Sequence, residues 1–155
     1  MYSNYLIVEI LSYINKNLYK KISINELEKT FNYNKDYIMR LFKREIGITI
    51  IEYINIKRIY NSTNLLVNTD YSILKIAIFT GFFSQEYFSE IFKKYIGVSP
   101  SCYRKFYFRD LNISNNTINL INNKIASIVQ ILKKSDNYLI NTPPKKQVKI
   151  LSIFK

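Results

Sequence analysis

The chain repeats one stretch of its own sequence after fifty positions. Residues 36–49 read DYIMRLFKREIGIT, and residues 86–99 read EYFSEIFKKYIGVS. The two copies agree in residue type or chemistry at these pairs: Tyr37 and Tyr87, Leu41 and Ile91, Phe42 and Phe92, Lys43 and Lys93, Arg44 and Lys94, Ile46 and Ile96, Gly47 and Gly97, Tyr53 and Tyr103. Such a repeat is one supersecondary unit used twice. Two copies are too few for a solenoid, so the fold must contain a pair of similar units.

The second copy shows what each unit contains. A short apolar segment around Ala77 precedes Gly81, a polar helix start follows at Ser84, and an amphipathic run stops at Gly97 before Pro100. This order of parts predicts a helix-turn-helix motif. Helical spacing predicts that five side chains of its second helix pack inward: Tyr87, Phe88, Ile91, Phe92 and Tyr95. The opposite face carries Gln85, Glu86, Ser89, Glu90 and Lys93.

The hydrophobic periodicity of the rest of the chain predicts an all-α fold. It consists of two helix-turn-helix subdomains joined by a long middle helix, with a C-terminal extension. Predicted helices cover residues 5–18, 23–31, 34–46, 49–66, 73–80 and 84–96, and a short closing helix begins at 99. Ser23 and Thr49 are predicted N-caps, each with a glutamate three residues later in a capping box. Asn32 and Gly81 precede the two recognition helices, and both residue types tolerate a left-handed turn. Phe106, Tyr107 and Phe108 are expected to pack back on the core.

Composition favours a polyanionic partner and argues against an enzyme. The chain has 23 Lys+Arg and 11 Asp+Glu, giving a net charge of +12, which attracts nucleic acid first and anionic membrane second. There is no histidine and a single cysteine, Cys102, so an internal disulfide, a Ser-His or Cys-His nucleophile and a histidine metal site are all excluded. We expect no cofactor, no metal ion, no membrane association and a reducing cytoplasm, at the bacterial nucleoid.

A set of spaced positions resembles the DNA-binding domain of the AraC/XylS family of bacterial transcription regulators. They are Ile76-Ala77, Gly81-Phe82, Tyr87-Phe88, Phe92-Lys93, Gly97-Val98-Ser99-Pro100 and Tyr103-Arg104, and in the first half Leu27, Tyr37-Ile38, Arg40-Leu41-Phe42-Lys43, Gly47, Tyr53, Arg58 and Leu65-Leu66. The resemblance covers about residues 5–108. The chain departs from the family pattern at Glu28, at Asn34-Lys35, at Ser62 and at Phe83, which bears on local packing and on how the recognition helices begin.

Taken with the resemblance, the exposed start of each recognition helix gives the candidate DNA contacts, because base edges are reached from there. The base-reading candidates are Lys35, Asp36, Met39, Arg40, Gln85, Glu86, Ser89 and Glu90. The phosphate candidates are Lys43, Arg44, Lys93 and Lys94. Asp36 has the alternative of capping its helix, Arg40 that of a salt bridge with Glu45 or Asp36, and Glu90 would repel a nearby phosphate.

The composition and the hydrophobic pattern of the chain change beyond residue 108. We divide the sequence into a DNA-binding domain at 1–108, with units at 5–47 and 72–108 around a linker helix at 49–66, and an extension at 109–155. Residues 112–123 read as a linker, residues 117–134 as an amphipathic helix, Pro143-Pro144 as a break, and residues 148–154 as a short strand or helix. The extension helix either packs on the domain or serves as a dimerisation or partner helix, which would allow a weak dimer on DNA. Removing residues 109–155 is expected to leave the domain folded.

The resemblance implies a sequence-specific DNA-binding transcription regulator. We expect an activator that binds double-stranded DNA, as a monomer or weak dimer, and that also contacts RNA polymerase. The alternative is a protein-interaction module or antagonist that acts on another regulator, and a third reading is a basic protein that binds anionic membrane. No effector domain fits before Tyr5, which is expected of a stand-alone member or of a fragment.

Overall fold

A computed structural model describes residues 2–108 and 114–141, with side chains from Tyr5 onward. This part of the chain is built from helices and contains no strand, which confirms the predicted all-α fold. Its eight helices are α1 (Tyr2–Asn17), α2 (Ile24–Phe31), α3 (Lys35–Ile46), α4 (Ile50–Asn68), α5 (Ile73–Phe79), α6 (Gln85–Ile96), α7 (Pro100–Tyr107) and α8 (Asn115–Ile140). They form two compact units, one from residues 2–52 and 131–141 and the other from Tyr53–Gln130.

The core of the first unit is aliphatic. α1 buries a stripe at helical spacing, and α2 and α3 add to it with one phenylalanine; the buried residues are Leu6, Ile7, Ile10, Leu11, Ile14, Leu27, Ile38, Leu41, Phe42 and Ile46. Each fully buried side chain of this size stabilises the fold by about 1.5–3 kcal/mol relative to exposure. The period of 3.6 residues in the sequence therefore determines which face of each helix turns inward.

Caps define the helix ends of the first unit. The predicted capping box at Thr49 is confirmed: the Glu52 backbone N–H donates to Thr49 Oγ1 at 3.2 Å, and Glu52 Oε2 accepts from the Thr49 N–H at 2.9 Å. The box at Ser23 is only half formed. Its hydroxyl accepts from the Glu26 N–H at 3.2 Å, but the Glu26 carboxylate accepts from Tyr13 Oη at 2.6 Å. Asn32 ends α2 in the predicted left-handed conformation, with φ 55°.

The second unit has an aromatic core. Rings pack in a chain from Phe82 to Phe88 at 5.2 Å between centroids, then to Phe92 at 5.7 Å and to Tyr103 at 5.4 Å. Serine hydroxyls cap α5, α6 and α7, and Pro100 is the first residue of α7. The predicted left-handed turn at Gly81 is confirmed by its φ of 91°. These tilted and edge-to-face contacts are the favoured geometries for aromatic pairs.

One arginine closes the loop between α4 and α5. Arg104 Nε donates to the Leu66 carbonyl at 3.2 Å, and its Nη2 donates to the Tyr71 carbonyl at 2.7 Å. The departure at Ser62 is also accommodated, because this fully buried hydroxyl donates to the Ile59 carbonyl at 2.7 Å. α4 extends to Asn68 and is slightly longer than predicted.

The extension is more helical than predicted. α8 spans 26 residues, so the interpretation of residues 115–123 as linker and the limits of 117–134 were wrong. Ile121, Ile128 and Ser135 are buried along it, which confirms that this helix packs on the fold. The burial leads us to expect, contrary to the prediction from sequence, that removing residues 109–155 destabilises the protein. The predicted break at 143–144 and the element at 148–154 lie outside the described residues.

Two predictions of burial were wrong. Tyr87 is exposed rather than packed inward, because it lies at the edge of the apolar stripe of α6. Tyr107 and Phe108 are also exposed, although the Tyr107 ring packs 4.8 Å from that of Tyr103. The end of α7 therefore covers the core with one face only.

Candidate nucleic-acid interface

α3 presents the first group of candidate contacts on its solvent side. Its inward positions are occupied by the buried residues of the first unit, and all six candidates are exposed: Lys35, Asp36, Met39, Arg40, Lys43 and Arg44. Four of the six are basic, and the helix carries two acidic residues. A helix with this composition on its open face can enter a DNA groove and hold phosphates at its edges.

Two side chains set the start of α3. Asn34 Oδ1 accepts from the Asp36 N–H at 2.8 Å, and Glu28 Oε1 accepts from the Lys35 N–H at 3.1 Å. Asn34 is thus the cap, and the alternative that Asp36 caps the helix was wrong. Both departures from the family pattern at this turn supply acceptors for backbone N–H groups that a helix start leaves without an intrahelical partner.

The last turn of α3 is tied to α8 through Glu45. Arg44 donates to Glu45 Oε1 through Nη2 at 2.7 Å and Nε at 2.8 Å, and Tyr138 Oη donates to Oε2 at 2.9 Å. The Arg44 guanidinium first, and then Tyr138, hold the pKa of the Glu45 carboxyl below its usual value. Among the described residues the ion pair of Glu45 is with Arg44, so the alternative that Arg40 pairs with Glu45 was wrong. Lys134 of α8 adds positive charge at the same end.

α6 presents the second group of candidates. Gln85, Glu86, Glu90, Lys93 and Lys94 are exposed, and Ser89 is half-buried. Its two basic residues balance its two acidic residues, so this helix has no net charge, whereas α3 has a surplus. The attraction of a nearby phosphate backbone to the recognition helix itself is therefore stronger for α3 than for α6.

Aromatic side chains next to both helix starts were missed by sequence reasoning. Tyr33 and Tyr37 are exposed at the start of α3, and Phe83 and Tyr87 are exposed at the start of α6. The Tyr87 hydroxyl accepts from Nδ2 of Asn55 at 3.2 Å, which fixes the ring while leaving its face open. The repeat already pairs Tyr37 with Tyr87, and extending the alignment to residue 33 would have paired Tyr33 with Phe83.

The described residues contain neither a cluster of metal ligands nor a helix that could span a membrane. Within residues 2–108 and 114–141, no group of three or more cysteine or acidic residues is placed to hold a metal ion. Over the same residues, no helix combines the length and the hydropathy needed to cross a bilayer. Arg58 is mostly buried near the Phe82 ring, and desolvation lowers the pKa of its guanidinium.

Comparison with known proteins identifies the fold. A family described as "Helix-turn-helix domain" matches residues 27–105, about half of the chain. The HTH-type transcriptional activator AarP of Providencia stuartii is 35% identical over 99 residues, which are 64% of this chain and 73% of that protein. The chain belongs to the AraC/XylS family of transcription regulators. This confirms the resemblance inferred from the spaced positions.

Other regulators are similar to this chain over a comparable stretch of sequence. The melibiose operon regulatory protein of Escherichia coli K12 is 36% identical over 104 residues, covering 67% of this chain and 34% of that protein. The C-terminal domain of AraT, a response regulator from Geobacillus stearothermophilus, superposes with a TM-score of 0.62 at 32% identity, over 71% of this chain and 88% of that one. The chain spans between 34% and 41% of the length of several curated relatives. α8 lies beyond the family match.

Proposed function

We propose that the chain is a sequence-specific, double-stranded-DNA-binding transcription regulator, without enzymatic activity, that activates transcription. The observation that supports this proposal most directly is the solvent-exposed face of α3. There, basic side chains and Met39 surround the start of a helix that is capped by Asn34 and packed on the core through its other face. Membership of the AraC/XylS family supports DNA binding, since the family consists of DNA-binding regulators and not of enzymes. The name of the relative AarP supports activation.

In this proposal the first unit supplies most of the affinity and base recognition. Arg40 pairs with guanine O6 and N7, Met39 contacts a thymine methyl group, and Lys35 and Asp36 lie at neighbouring base edges. Lys43 neutralises a phosphate, as does Arg44 once phosphate competes with Glu45 for its guanidinium. The Arg44 side chain is 64% exposed and can reach a phosphate, whereas Glu45 is half-buried and keeps its bond from Tyr138 when Arg44 leaves.

The second unit adds position and further recognition. Gln85 suits adenine, and Glu86, Ser89 and Glu90 are the other base-reading candidates, with Lys93 and Lys94 at phosphates. We propose that α3 and α6 enter successive major-groove faces, as the family resemblance implies. The side chains of α6 carry no net charge, so its contribution is the weaker one.

The experiment is a titration against duplex DNA at several salt concentrations. Selection and sequencing of bound random duplexes first yields the preferred site. If ~6 phosphates are neutralised, log K falls against log salt with a slope of about −5. Arg40→Ala should cost roughly 1–3 kcal/mol on that site and relax the choice at one base pair. Lys43→Ala should weaken specific and random DNA alike and make the slope shallower by about one.

The outcomes separate the proposal from its alternatives. No recovered motif at any salt concentration would reject DNA recognition and favour the protein-interaction module or antagonist. One observation favours that alternative: Leu74, Ile78 and Phe79 of α5 are exposed apolar side chains. Binding to anionic vesicles without DNA binding would favour the membrane reading.

Three further parts of the proposal rest on the family and on charge. We propose RNA polymerase as a second partner, residues 1–108 as the DNA-binding domain, and the bacterial cytoplasm as the location. The protein binds DNA as a monomer or as a weak dimer through the extension. Sedimentation of the free protein and of its DNA complex measures the stoichiometry, and a complex with two chains would identify the dimer.

A further inference from the structure

An aromatic pair flanks the first turn of each recognition helix. Tyr33 and Phe83 directly precede the N-cap residues of α3 and α6, and Tyr37 and Tyr87 are the third residues of these helices. Their exposed fractions are 44% for Tyr33, 39% for Tyr37, 73% for Phe83 and 44% for Tyr87. The same two places therefore carry exposed rings in both units.

The rings are held by neighbouring groups. Tyr33 stacks on Tyr37 with 5.6 Å between centroids and an interplanar angle of 23°. The Tyr87 ring lies 6.0 Å from that of Phe82, which is buried. The rings of Tyr33 and Tyr37 at the start of α3, and of Tyr87 at the start of α6, are thus oriented before any ligand arrives, which lowers the entropic cost of binding them.

Exposed aromatic residues are common singly, but their repetition here is informative. The turns differ in length, since three residues separate α2 from α3 and five separate α5 from α6. Even so, Tyr33 and Phe83 both lie directly before the cap. Phe83 has no hydrogen-bonding atom, so any contribution of its side chain to binding must come from apolar contact. The N-terminal end of a recognition helix is where base edges are read.

We propose that Tyr33 and Phe83 are specificity-determining residues that pack against thymine C5-methyl groups. Tyr37 supports Tyr33 by stacking, and Tyr87, fixed by its bond to Asn55, adds a second ring at the start of α6. The thymine methyl is the apolar group that the major groove offers, and apolar side chains recognise it. The inference rests on the proposed function and deepens it: the preferred site has thymines opposite the start of each recognition helix.

The test replaces thymine by deoxyuridine in the selected duplex, which removes C5-methyl groups and retains base pairing. Burying one methyl group corresponds to about a four-fold change in affinity. We expect the wild type to bind the uracil duplex about four-fold more weakly for each methyl contacted. Phe83→Ala should weaken binding to the thymine duplex and leave the uracil duplex unaffected at that position, with no change in salt slope. Phe83→Leu should retain part of the discrimination.

Two controls keep the result interpretable. Phe108→Ala removes another exposed phenylalanine, at the end of α7, and should bind both duplexes as the wild type does. Phe83 is exposed, so its removal opens no core cavity, and thermal unfolding of Phe83→Ala should match the wild type. Lys43→Ala provides the opposite pattern, with a changed salt slope and unchanged discrimination between thymine and uracil.

The outcomes distinguish this inference from the proposed function. If the wild type binds the thymine and uracil duplexes equally, or if Phe83→Ala weakens both by the same factor, methyl recognition by Phe83 is wrong while DNA binding stands. If the wild type binds no duplex, the proposed function itself fails. Discrimination between thymine and uracil that falls by about four-fold in Phe83→Ala, and does not fall in Phe108→Ala, supports the inference.

Discussion

The bond between Tyr138 and Glu45 connects α8 to the last turn of α3 within the first unit. Tyr138 Oη donates to Oε2 at 2.9 Å, and Arg44 occupies Oε1. A hydrogen bond to a charged group contributes about 1.5–3 kcal/mol, and this carboxylate keeps its arginine partner and some access to water when the tyrosine is lost. We therefore expect Tyr138→Phe to lower the free energy of unfolding by about 1–2 kcal/mol at pH 7.

The stability loss caused by Tyr138→Phe should depend on pH, because the bond acts on an ionised carboxylate. The pKa of Glu45 is lowered in the folded protein, first by Arg44 and then by Tyr138, from a usual value of 4.5. A carboxyl group whose pKa is depressed by folding stabilises the protein above its unfolded pKa, and this stabilisation is lost as pH falls through the folded pKa. The effect of Tyr138→Phe should be complete at pH 7 and shrink as the pH falls below 4.5.

Urea unfolding followed by circular dichroism measures both effects. Glu45→Gln is the matched background, since it removes the charge and keeps the shape. Tyr138→Phe should cost less in Glu45→Gln than in the wild type, which a double-mutant cycle quantifies. Equal losses at pH 7 and pH 3, or equal losses in both backgrounds, would show that the tyrosine acts through packing and not through the carboxylate.

Three other predictions concern the helix ends and the second unit. Gly47→Ala and Gly97→Ala should each lower the free energy of unfolding by about 1–2 kcal/mol, because both backbone positions are left-handed. A Cβ at Gly97 would also lie 3.1 Å from Leu120 Cδ2, so Gly97→Ala should cost more than Gly47→Ala in urea unfolding. This excess should vanish in a Leu120→Ala background. Arg104→Ala leaves the Leu66 carbonyl at the end of α4 and the Tyr71 carbonyl in the loop without this donor, and should cost about 1–3 kcal/mol in the same assay. Glu90→Ala should leave DNA binding unchanged or improve it, and a selective loss on the preferred site in a gel shift would make Glu90 a base reader.

The internal repeat predicted the buried side of the recognition helices well. Phe42 and Phe92 match across the repeat, as do Ile46 and Ile96, and all four are buried. The sequence also predicted where α4 begins, because a capping box such as that of Thr49 depends only on residues a few positions away. Edge positions of an apolar stripe were less predictable: Tyr87 has the spacing of a core residue and the exposure of a surface one. Spacing defines a direction on the helix, whereas burial depends on which other helix covers that direction.

The start of α8 was misread for a different reason. Asparagine is a poor helix former, and residues 112–123 are rich in it, so propensity favoured a linker. Tertiary packing decided otherwise, since Ile121 and Ile128 are buried one above the other at a spacing of seven residues. Most helical stability comes from such packing rather than from propensity. The neighbouring Leu120 lies close to Gly97, which is far away in sequence, and no local pattern reveals such a contact.

The repeat keeps the inward positions and the basic residues near the end of each recognition helix, but it changes two outward base-reading candidates. Leu41 and Ile91 are both buried, whereas Arg40 corresponds to Glu90, and Met39 to Ser89. A guanine-reading arginine and a carboxylate require opposite hydrogen-bonding groups on the base edge. The two units should therefore read different sequences, and the preferred site should contain two unlike half-sites. Selection from random duplexes checks this, and recovery of two copies of one half-site, direct or inverted, would refute it.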